Sequence, residues 1–252
     1  HATQKDINSF ESWGLRGKLE WDATESLNLL ISGDYRDSKS DCCNSVFTRV
    51  ANPNTLTLIS PVVPSLANRA INEDQVSFNN DQQWTVSLEG NLDLGSATIT
   101  SITAYQDYRN VANNPVDRIN NPAPVYIFGA GAFGAGLTTA KFDQNGGEID
   151  LNQFTQEVRI ASNGSRDFTY VVGGYYSNLT LDRSFLRMAA ACPTQTSNVN
   201  IGQACATPTY FSSSLTARNK TESIAGFGQV EWRVAGGLRV IGGLRVQHES
   251  TS

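Results

Sequence analysis

Apolar and polar residues alternate along several stretches of this chain, and the alternation constrains its fold more than any other feature. From Trp13 to Trp21 every second residue is apolar or glycine. Of the four residues at the alternate positions, three are charged. Successive side chains of a β-strand point to opposite faces, so this pattern is typical of a strand with one apolar and one polar face. The pattern resumes from Leu27 to Arg36 after a short polar segment, which predicts a β-hairpin.

Four such hairpins follow one another at regular spacing. They begin near residues 13, 84, 154 and 224, and the turn within each has only a few residues. The predicted connections between hairpins are long, covering 39–80, 109–152 and 184–220. Loops beyond about 15 residues are uncommon in soluble β-sandwiches, whereas outer-membrane barrels alternate short periplasmic turns with long extracellular loops. The sequence therefore predicts an all-β, antiparallel, up-and-down transmembrane β-barrel segment of about eight strands.

The tryptophans favour the same interpretation. Trp13 and Trp21 share one face of their strand and lie about 27 Å apart at roughly 3.4 Å per residue, or about 20 Å across a membrane after tilting. Trp84 and Trp232 also occur at the ends of predicted strands, where an indole ring can contact lipid headgroups. Tryptophans are common in soluble cores as well, but this spacing is close to the height of a lipid-facing band.

Composition and short motifs exclude other classes. The chain has 19 Lys and Arg against 24 Asp and Glu and no basic run, so nucleic acid is not an expected partner. It lacks the patterns of nucleophile elbows, phosphate-binding loops and zinc proteases. Glu73 and Asp74 could act as a general acid and base, but in a polar loop we expect them to be solvated. We therefore expect no catalytic residues, no metal site, no cofactor and no enzyme activity.

The four cysteines fall into two pairs. Cys192 and Cys205 enclose a polar segment of 12 residues, a length that suits a disulfide-stapled loop in an oxidising compartment, and we expect a bridge there. Cys42 and Cys43 are adjacent, and the sequence leaves their pairing open. Neither pair has the C-x-x-C spacing of a zinc or redox site.

Several segments together resemble the TonB-dependent receptors of Gram-negative outer membranes. The matching segments are S-W-G-L-R-G-K-L-E-W from Ser12, S-I-T-A-Y-Q-D-Y from Ser101, F-T-Q-E-V-R-I-A-S from Phe154, Y-V-V-G-G-Y-Y from Tyr170, G-F-G-Q-V-E-W from Gly226 and G-G-L-R-V from Gly242. The resemblance implies a large barrel, filled by an N-terminal plug, that imports iron–siderophore complexes, cobalamin or saccharides with energy delivered by TonB.

The chain departs from the complete pattern of these receptors. We recognise no plug domain, no TonB box and no aromatic-ended last strand, so we expect residues 1–252 to be one partial outer-membrane barrel domain. The resemblance implies a location in the outer membrane of a Gram-negative bacterium. It also implies three partners: the membrane lipid, a small-molecule nutrient such as an Fe(III)–siderophore, and TonB acting through an N-terminal region. The alternatives are an adhesin-like surface or secreted β-sheet protein and a free-standing eight-stranded outer-membrane barrel.

Candidate site residues lie in the second long connection and on the polar faces of the strands. The candidates for ligand binding, by charge pairing with an anionic chelate or by ring stacking, are Arg109, Arg118, Tyr126, Phe128 and Phe133. The alternative is that these aromatic rings only pack the loop against its neighbours. Residues expected to line the lumen, where they could contact a plug or pair with one another, are Arg16, Glu20, Arg36, Glu157, Arg159, Arg239 and Arg245.

Overall fold

The chain forms one antiparallel sheet in which every strand pairs with its neighbours in sequence. A computed structural model describes residues 6–127, 136–164, 167–194, 201–235 and 237–252. The elements in these ranges are β1 (Phe10–Asp22), β2 (Leu27–Ser40), α1 (Thr55–Ile59), β3 (Phe78–Asp93), β4 (Ala97–Asn113), β5 (Leu137–Ser162), β6 (Phe168–Pro193), β7 (Thr209–Ala235) and β8 (Leu238–Thr251). A membrane-spanning helix is absent from these ranges.

The strand order is β1-β2-β3-β4-β5-β6-β7-β8, with all pairs antiparallel. This order confirms the predicted all-β, up-and-down fold of eight strands in four hairpins. β1 and β8 form the two edges, and in the described part of the chain they do not pair with each other, so the sheet is open.

Short turns join the strands of each hairpin at one end of the sheet. Residues 23–26, 94–96, 163–167 and 236–237 separate the two strands of each hairpin along the sequence. Gly95, Gly164 and Gly237 have φ angles of 80°, 84° and 85°. Glycine adopts this left-handed conformation without the steric cost that a Cβ atom would add, so these residues allow the chain to reverse tightly.

Long connections lie at the opposite end and are shorter than the sequence predicts. They comprise residues 41–77, 114–136 and 194–208, because β4, β5, β6 and β7 continue far into the predicted loops. Asn113 pairs with Gly146, and Glu148 pairs with Ser184, in regular register. The prediction of the loop boundaries was wrong because it relied on apolar alternation. Backbone hydrogen bonds continue a ladder even where apolar and polar side chains do not alternate regularly.

The register separates two faces of the sheet. We call the face that carries Trp13 and Trp21 the outer face and the opposite one the inner face. Six neighbouring strands each contribute one ring to a row on the outer face, the upper aromatic row: Trp13, Tyr35, Trp84, Tyr105, Phe154 and Tyr176. Ring centroids lie 4.9 Å apart for Trp13 and Tyr35 and 5.2 Å apart for Trp84 and Tyr105.

A second set of aromatic residues lies on the outer face near the short turns. Trp21 ends β1, and Phe168 pairs directly with Trp232 across β6 and β7. Between the two levels the outer face carries exposed aliphatic side chains such as Leu15 and Leu19, which are 70% and 63% exposed. This is the arrangement of two aromatic girdles around an apolar band that the tryptophan spacing predicts.

The largest cluster of buried apolar residues in the described ranges lies in the long connections and not on the sheet. Leu58 and Ile59 of α1 pack with Ile119 and Ile127. Partly buried residues surrounding this cluster are Phe47, Val50, Val62, Val125 and Ile201. Residues 41–77, 114–127 and 201–208 therefore pack on one another, and we refer to these three segments as the loop cap.

Candidate functional site

Backbone hydrogen bonds and a disulfide join two segments of the loop cap to the end of β6. The N–H of Tyr126 donates to Gln203 O (3.0 Å), and the N–H of Gly202 donates to Tyr126 O (2.7 Å). Cys205 forms a disulfide with the buried Cys192 in β6, with Cα atoms 5.8 Å apart. The pairing expected from the sequence is thus present, and it anchors the third connection to the sheet.

Arg118 joins the first and second segments of the cap. Its guanidinium donates to Cys43 O (3.0 Å), Asn44 Oδ1 (3.0 Å) and Ser77 Oγ (2.9 Å), and also to Asn114 Oδ1. Cys43 is itself bridged to Cys42 in a disulfide, the pair that the sequence leaves open. Because the planar guanidinium presents several donors in fixed directions, one side chain holds two loop segments together.

Glu73 is buried beside this arginine. Its side chain is 3% exposed, and its Oε1 lies 3.6 Å from Arg118 Nη1, beyond hydrogen-bonding distance. Neither carboxylate oxygen of Glu73 has a hydrogen-bond partner in the described residues. Burial raises the pKa of Glu73; Arg118 lowers it, and the charges of Asp117 and Asp74 raise it further. The expectation that Glu73 and Asp74 are solvated was wrong, because a polar loop that packs on other loops is not an exposed one.

Three aspartates meet where the cap contacts β5. One carboxylate oxygen from each of Asp74, Asp117 and Asp143 lies within 4.8 Å of the other two. Lys141 Nζ lies 2.8 Å from Asp74 Oδ2 and 2.7 Å from Asp143 Oδ2, and it also donates to Asn121 O (2.9 Å). The ammonium group thus neutralises one side of the cluster.

Asp117 is the most buried of the three aspartates. It is 4% exposed, and its Oδ2 accepts a hydrogen bond from the backbone N–H of Phe142 (2.7 Å). Burial raises the pKa of Asp117 to about 6, which outweighs the lowering effect of that hydrogen bond. Sequence reasoning missed this cluster because its members come from three separate segments, and no spacing along the chain indicates that they meet.

The residues predicted to bind a ligand do not converge on one surface. Arg118 and Tyr126 lie in the loop cap, where Tyr126 is 6% exposed and its hydroxyl donates to Pro193 O (3.0 Å). Arg109 lies on the outer face of β4. Phe128 and Phe133 lie outside the described residues. A ligand-binding role for these five residues stays a prediction.

A row of polar side chains crosses the outer face beyond the upper aromatic row. Its members are directly opposite one another on six successive strands: Asp37, Gln82, Arg109, Asp150, Asp182 and Arg218. Gln82 Nε2 donates to Asp37 Oδ2 (2.9 Å), and Arg109 pairs with both Glu148 and Asp150. This row lies on the outer face between the upper aromatic row and the long connections.

The predicted lumen residues share the inner face. Strand alternation places all seven opposite the aromatic rows: Arg16, Glu20, Arg36, Glu157, Arg159, Arg239 and Arg245. Arg159 pairs with Glu157 at 3.0 Å, and the Arg245 guanidinium lies 5.6 Å from the ring centre of Tyr175. The inner face is therefore a charged surface with local pairing, and its facing of a lumen stays a prediction.

Comparison with known proteins identifies the family. The family model described as TonB dependent receptor-like, beta-barrel, matches residues 44–252. Among solved structures, the siderophore receptor PiuA from Acinetobacter baumannii is similar, with a TM-score of 0.54 and 12% sequence identity; the match covers 99% of this chain and 40% of that one. At such low identity the likeness shows the fold alone, and a search of curated proteins finds no match. Because the family match covers most of the sequence, this chain belongs to the TonB-dependent receptor-like β-barrel family.

Proposed function

We propose that this chain is part of an outer-membrane receptor that binds a scarce nutrient at the cell surface and imports it with energy from TonB. The observation that carries the proposal is the family match over residues 44–252. The structural likeness to a siderophore receptor makes an Fe(III)–siderophore complex the first ligand to test. Because this chain spans 40% of that receptor, ligand and energy coupling belong to a whole receptor and not to these strands alone.

The outer face supports a membrane orientation. Leu15, Leu19 and their neighbours form an apolar band between two levels of aromatic rings, and lipid is the environment that suits exposed aliphatic side chains. The charged row begins beyond the upper aromatic row, where Arg218 makes hydrogen bonds of 2.6 and 2.8 Å to Asp182. In this orientation the short turns face the periplasm and the loop cap faces the outside of a Gram-negative cell.

The proposed transport path uses the loop cap and the inner face. The cap covers the end of the sheet at which a ligand would arrive, and the inner face carries arginines that pair with neighbouring carboxylates, such as Arg159 with Glu157. A transport protein needs a polar interior wall for a hydrated cargo, and such a wall requires no catalytic group. TonB-dependent receptors are transporters, and we propose no enzyme activity.

Uptake of radiolabelled iron tests the function directly. Cells that lack the receptor are compared with cells that express the intact receptor, using ⁵⁵Fe(III) bound to a catecholate or to a hydroxamate siderophore as probes. We expect receptor-dependent accumulation of at least one complex, and its loss when the inner-membrane proton gradient is collapsed. If neither complex accumulates more in cells with the receptor than in cells without it, the iron assignment is wrong. The same assay with labelled cobalamin and oligosaccharide then decides whether import itself is the function.

Paired variants test the predicted ligand contacts. Arg109→Gln and Arg118→Gln each remove one positive charge at a residue that the sequence predicts to bind ligand. Arg109 lies on the outer face, and Arg118 lies within the cap. If the cap forms the binding site, Arg118→Gln weakens ligand binding, by loss of a direct contact or through the cap segments that Arg118 joins, and Arg109→Gln leaves it unchanged. The reverse result would move the site to the outer face.

A further inference from the structure

An excess of negative charge is buried where the loop cap meets β5. Four carboxylates and two cationic groups share this region, so two carboxylates have no cation when all groups are ionised. The carboxylates are Glu73, Asp74, Asp117 and Asp143, and the cationic groups are Arg118 and Lys141. An uncompensated charge is strongly destabilising when it is removed from water. The folded cap is therefore stabilised by whatever neutralises this excess, either a proton or a bound cation.

The aspartate oxygens are placed as ligands of one metal ion would be. Oxygen atoms that coordinate Ca²⁺ at about 2.3 to 2.6 Å lie at most about 5 Å from one another. The three oxygens of Asp74, Asp117 and Asp143 meet this limit, since all lie within 4.8 Å of one another. Lys141 engages the Oδ2 atoms of Asp74 and Asp143, whereas Asp143 Oδ1 is buried without a hydrogen-bond partner in the described residues.

The buried carboxylate of Glu73 adds negative charge beside the three aspartates. The Glu73 side chain is 3% exposed, and neither of its oxygens accepts a hydrogen bond within the described ranges. Asp74 and Asp117 are close enough to Glu73 for their charges to repel its carboxylate. Within the described ranges Glu73 forms one ion pair, with Arg118 at 3.6 Å, which compensates its charge but is longer than a hydrogen bond.

An amide oxygen beside the cluster is also without a donor. Asn121 is 3% exposed, and its Oδ1 has no hydrogen-bond partner among the described residues. Its Nδ2 donates to Ala140 O (2.8 Å), and its backbone O accepts from Lys141 Nζ, so the residue lies against the same lysine as Asp74 and Asp143. Buried acceptors are normally satisfied, and several unsatisfied oxygens at one place indicate an ion or a donor that binds there.

We propose that the junction of the loop cap and β5 binds one calcium ion through carboxylate oxygens of Asp74, Asp117 and Asp143, with Glu73 supplying a further negative charge. The donor set consists of hard oxygen atoms, which select Ca²⁺ or Mg²⁺ over metals that prefer nitrogen or sulfur ligands. Calcium accepts irregular coordination with carboxylates and amide oxygens, whereas magnesium demands a near-ideal octahedron at a shorter distance. The ion ties the first and second segments of the cap to the sheet, a role that goes beyond the proposed transport function.

Measurement of calcium binding to the intact receptor tests the proposal. The receptor is purified in detergent, treated with a chelator and dialysed against ⁴⁵Ca²⁺ up to about 1 mM, the upper range of extracellular calcium modules, near neutral pH. Asp143→Asn removes one negative charge from the proposed ligands and keeps the size of the side chain and one oxygen acceptor. Asp182→Asn is the matched control, because Asp182 pairs with Arg218 on the exposed outer face. Lipopolysaccharide that remains in the sample binds calcium equally in all variants and is subtracted.

We expect the wild type and Asp182→Asn to bind one more equivalent of calcium than Asp143→Asn, whose affinity falls at least tenfold. Trypsin cleavage at Arg49 and Arg69, which lie in the first segment of the cap, supplies a second readout. Calcium should slow this cleavage several-fold in the wild type and have no effect in Asp143→Asn. Absence of the extra equivalent in the wild type, or the same equivalent in all three proteins, would overturn the proposal even if a variant folds poorly. If the receptor binds no extra calcium and hydrogen exchange in the cap, corrected for the intrinsic rate, slows as the pH falls, protonation removes the excess charge and the proposal is wrong.

Discussion

Arg118 and Glu73 face each other inside the loop cap, with Nη1 and Oε1 3.6 Å apart. The same guanidinium donates to Cys43 O and Asn44 Oδ1, so one residue both neutralises a buried carboxylate and joins two loop segments. Both side chains are largely shielded from water, at 15% and 3% exposure. Removal of one partner therefore leaves a buried charge with no compensation, which costs more than the pair itself contributes.

Arg118→Met should destabilise the cap by about 3 to 5 kcal/mol, because it strands the Glu73 carboxylate. The double variant Arg118→Met with Glu73→Gln should recover part of this loss, since no charge then remains buried at this pair. Amide hydrogen exchange in residues 41–77 measures the opening of the cap, and exchange in β3 serves as the internal control. If the double variant is as unstable as Arg118→Met, the loss arises from the hydrogen bonds of Arg118 and not from the stranded charge.

The stability of the cap should fall as the pH rises toward neutrality when no calcium is present. Burial raises the pKa of Asp117 from 3.8 to about 6, so between these values the folded cap holds a proton that the opened cap releases. Stabilisation from this proton is present at low pH and is lost as the pH rises through about 6, by up to about 3 kcal/mol. Hydrogen exchange between about pH 4 and pH 7, corrected for the intrinsic exchange rate, measures this slope.

Asp117→Asn supplies the comparison for that experiment. The amide cannot ionise but can still accept the hydrogen bond from Phe142 N–H, so the slope between about pH 4 and pH 6 should become shallower. Asp182→Asn, on the exposed outer face, should leave the slope in the cap unchanged. An Asp117→Asn receptor with the slope of the wild type would show that another group takes up the proton.

The outer face should reject charge while the inner face accepts it. Leu19→Arg places a guanidinium in the apolar band of β1 and should cost about 2 to 4 kcal/mol in the intact receptor folded in lipid. Leu30→Arg is the matched control. Leu30 pairs with Glu20, on the opposite face of the same hairpin, and the new arginine meets a carboxylate there. Urea unfolding in lipid vesicles measures both variants, and equal costs would contradict the assigned faces.

Gly173 should not tolerate a side chain beneath Phe227. A Cβ atom at this position would lie 2.5 Å from the ring of Phe227 and 2.9 Å from the backbone oxygen of Val158. Gly173→Ala should therefore cost about 1 to 3 kcal/mol, because the ring and the strand must both shift. Combining it with Phe227→Leu should restore part of the loss by removing the end of the ring.

Gly226→Ala is the control for this variant. Gly226 lies on the neighbouring strand, and a Cβ atom there would have no atom within 4 Å. Its unfolding free energy in lipid vesicles should match the wild type or exceed it slightly, since alanine restricts the unfolded chain more than glycine does. A similar loss at both glycines would show that strand propensity, and not the Phe227 ring, sets the cost.

The sheet could be predicted from the sequence wherever one face is apolar. In the stretch Trp13–Trp21 alternation alone indicates both the strand and its two faces, and the turn at Asp93 to Gly95 follows from residues that favour tight reversals. The parts of β5 and β6 near the long connections could not be predicted in this way, because apolar and polar residues do not alternate regularly there. Their pairing depends on backbone hydrogen bonds with neighbouring strands, which leave no periodic signal in the sequence.

The candidate site was harder to predict from the sequence, for a different reason. Asp74, Asp117 and Asp143 come together only through the packing of separate segments, and each looks like an ordinary loop carboxylate in isolation. The inner-face arginines, in contrast, follow from strand alternation because their positions depend only on local register. Long-range contacts between irregular segments are thus the part of this molecule that a single sequence conceals.

The nearest-neighbour order of the eight strands has a consequence for assembly. β1 pairs with β2, and each later strand adds to the one before it, so no strand waits for a distant partner before it can form its ladder. The entropic cost of closing each pair is set by one turn or one long connection, and it does not grow as more of the chain is added. The four hairpins can therefore pair one after another along the sheet, starting from either edge.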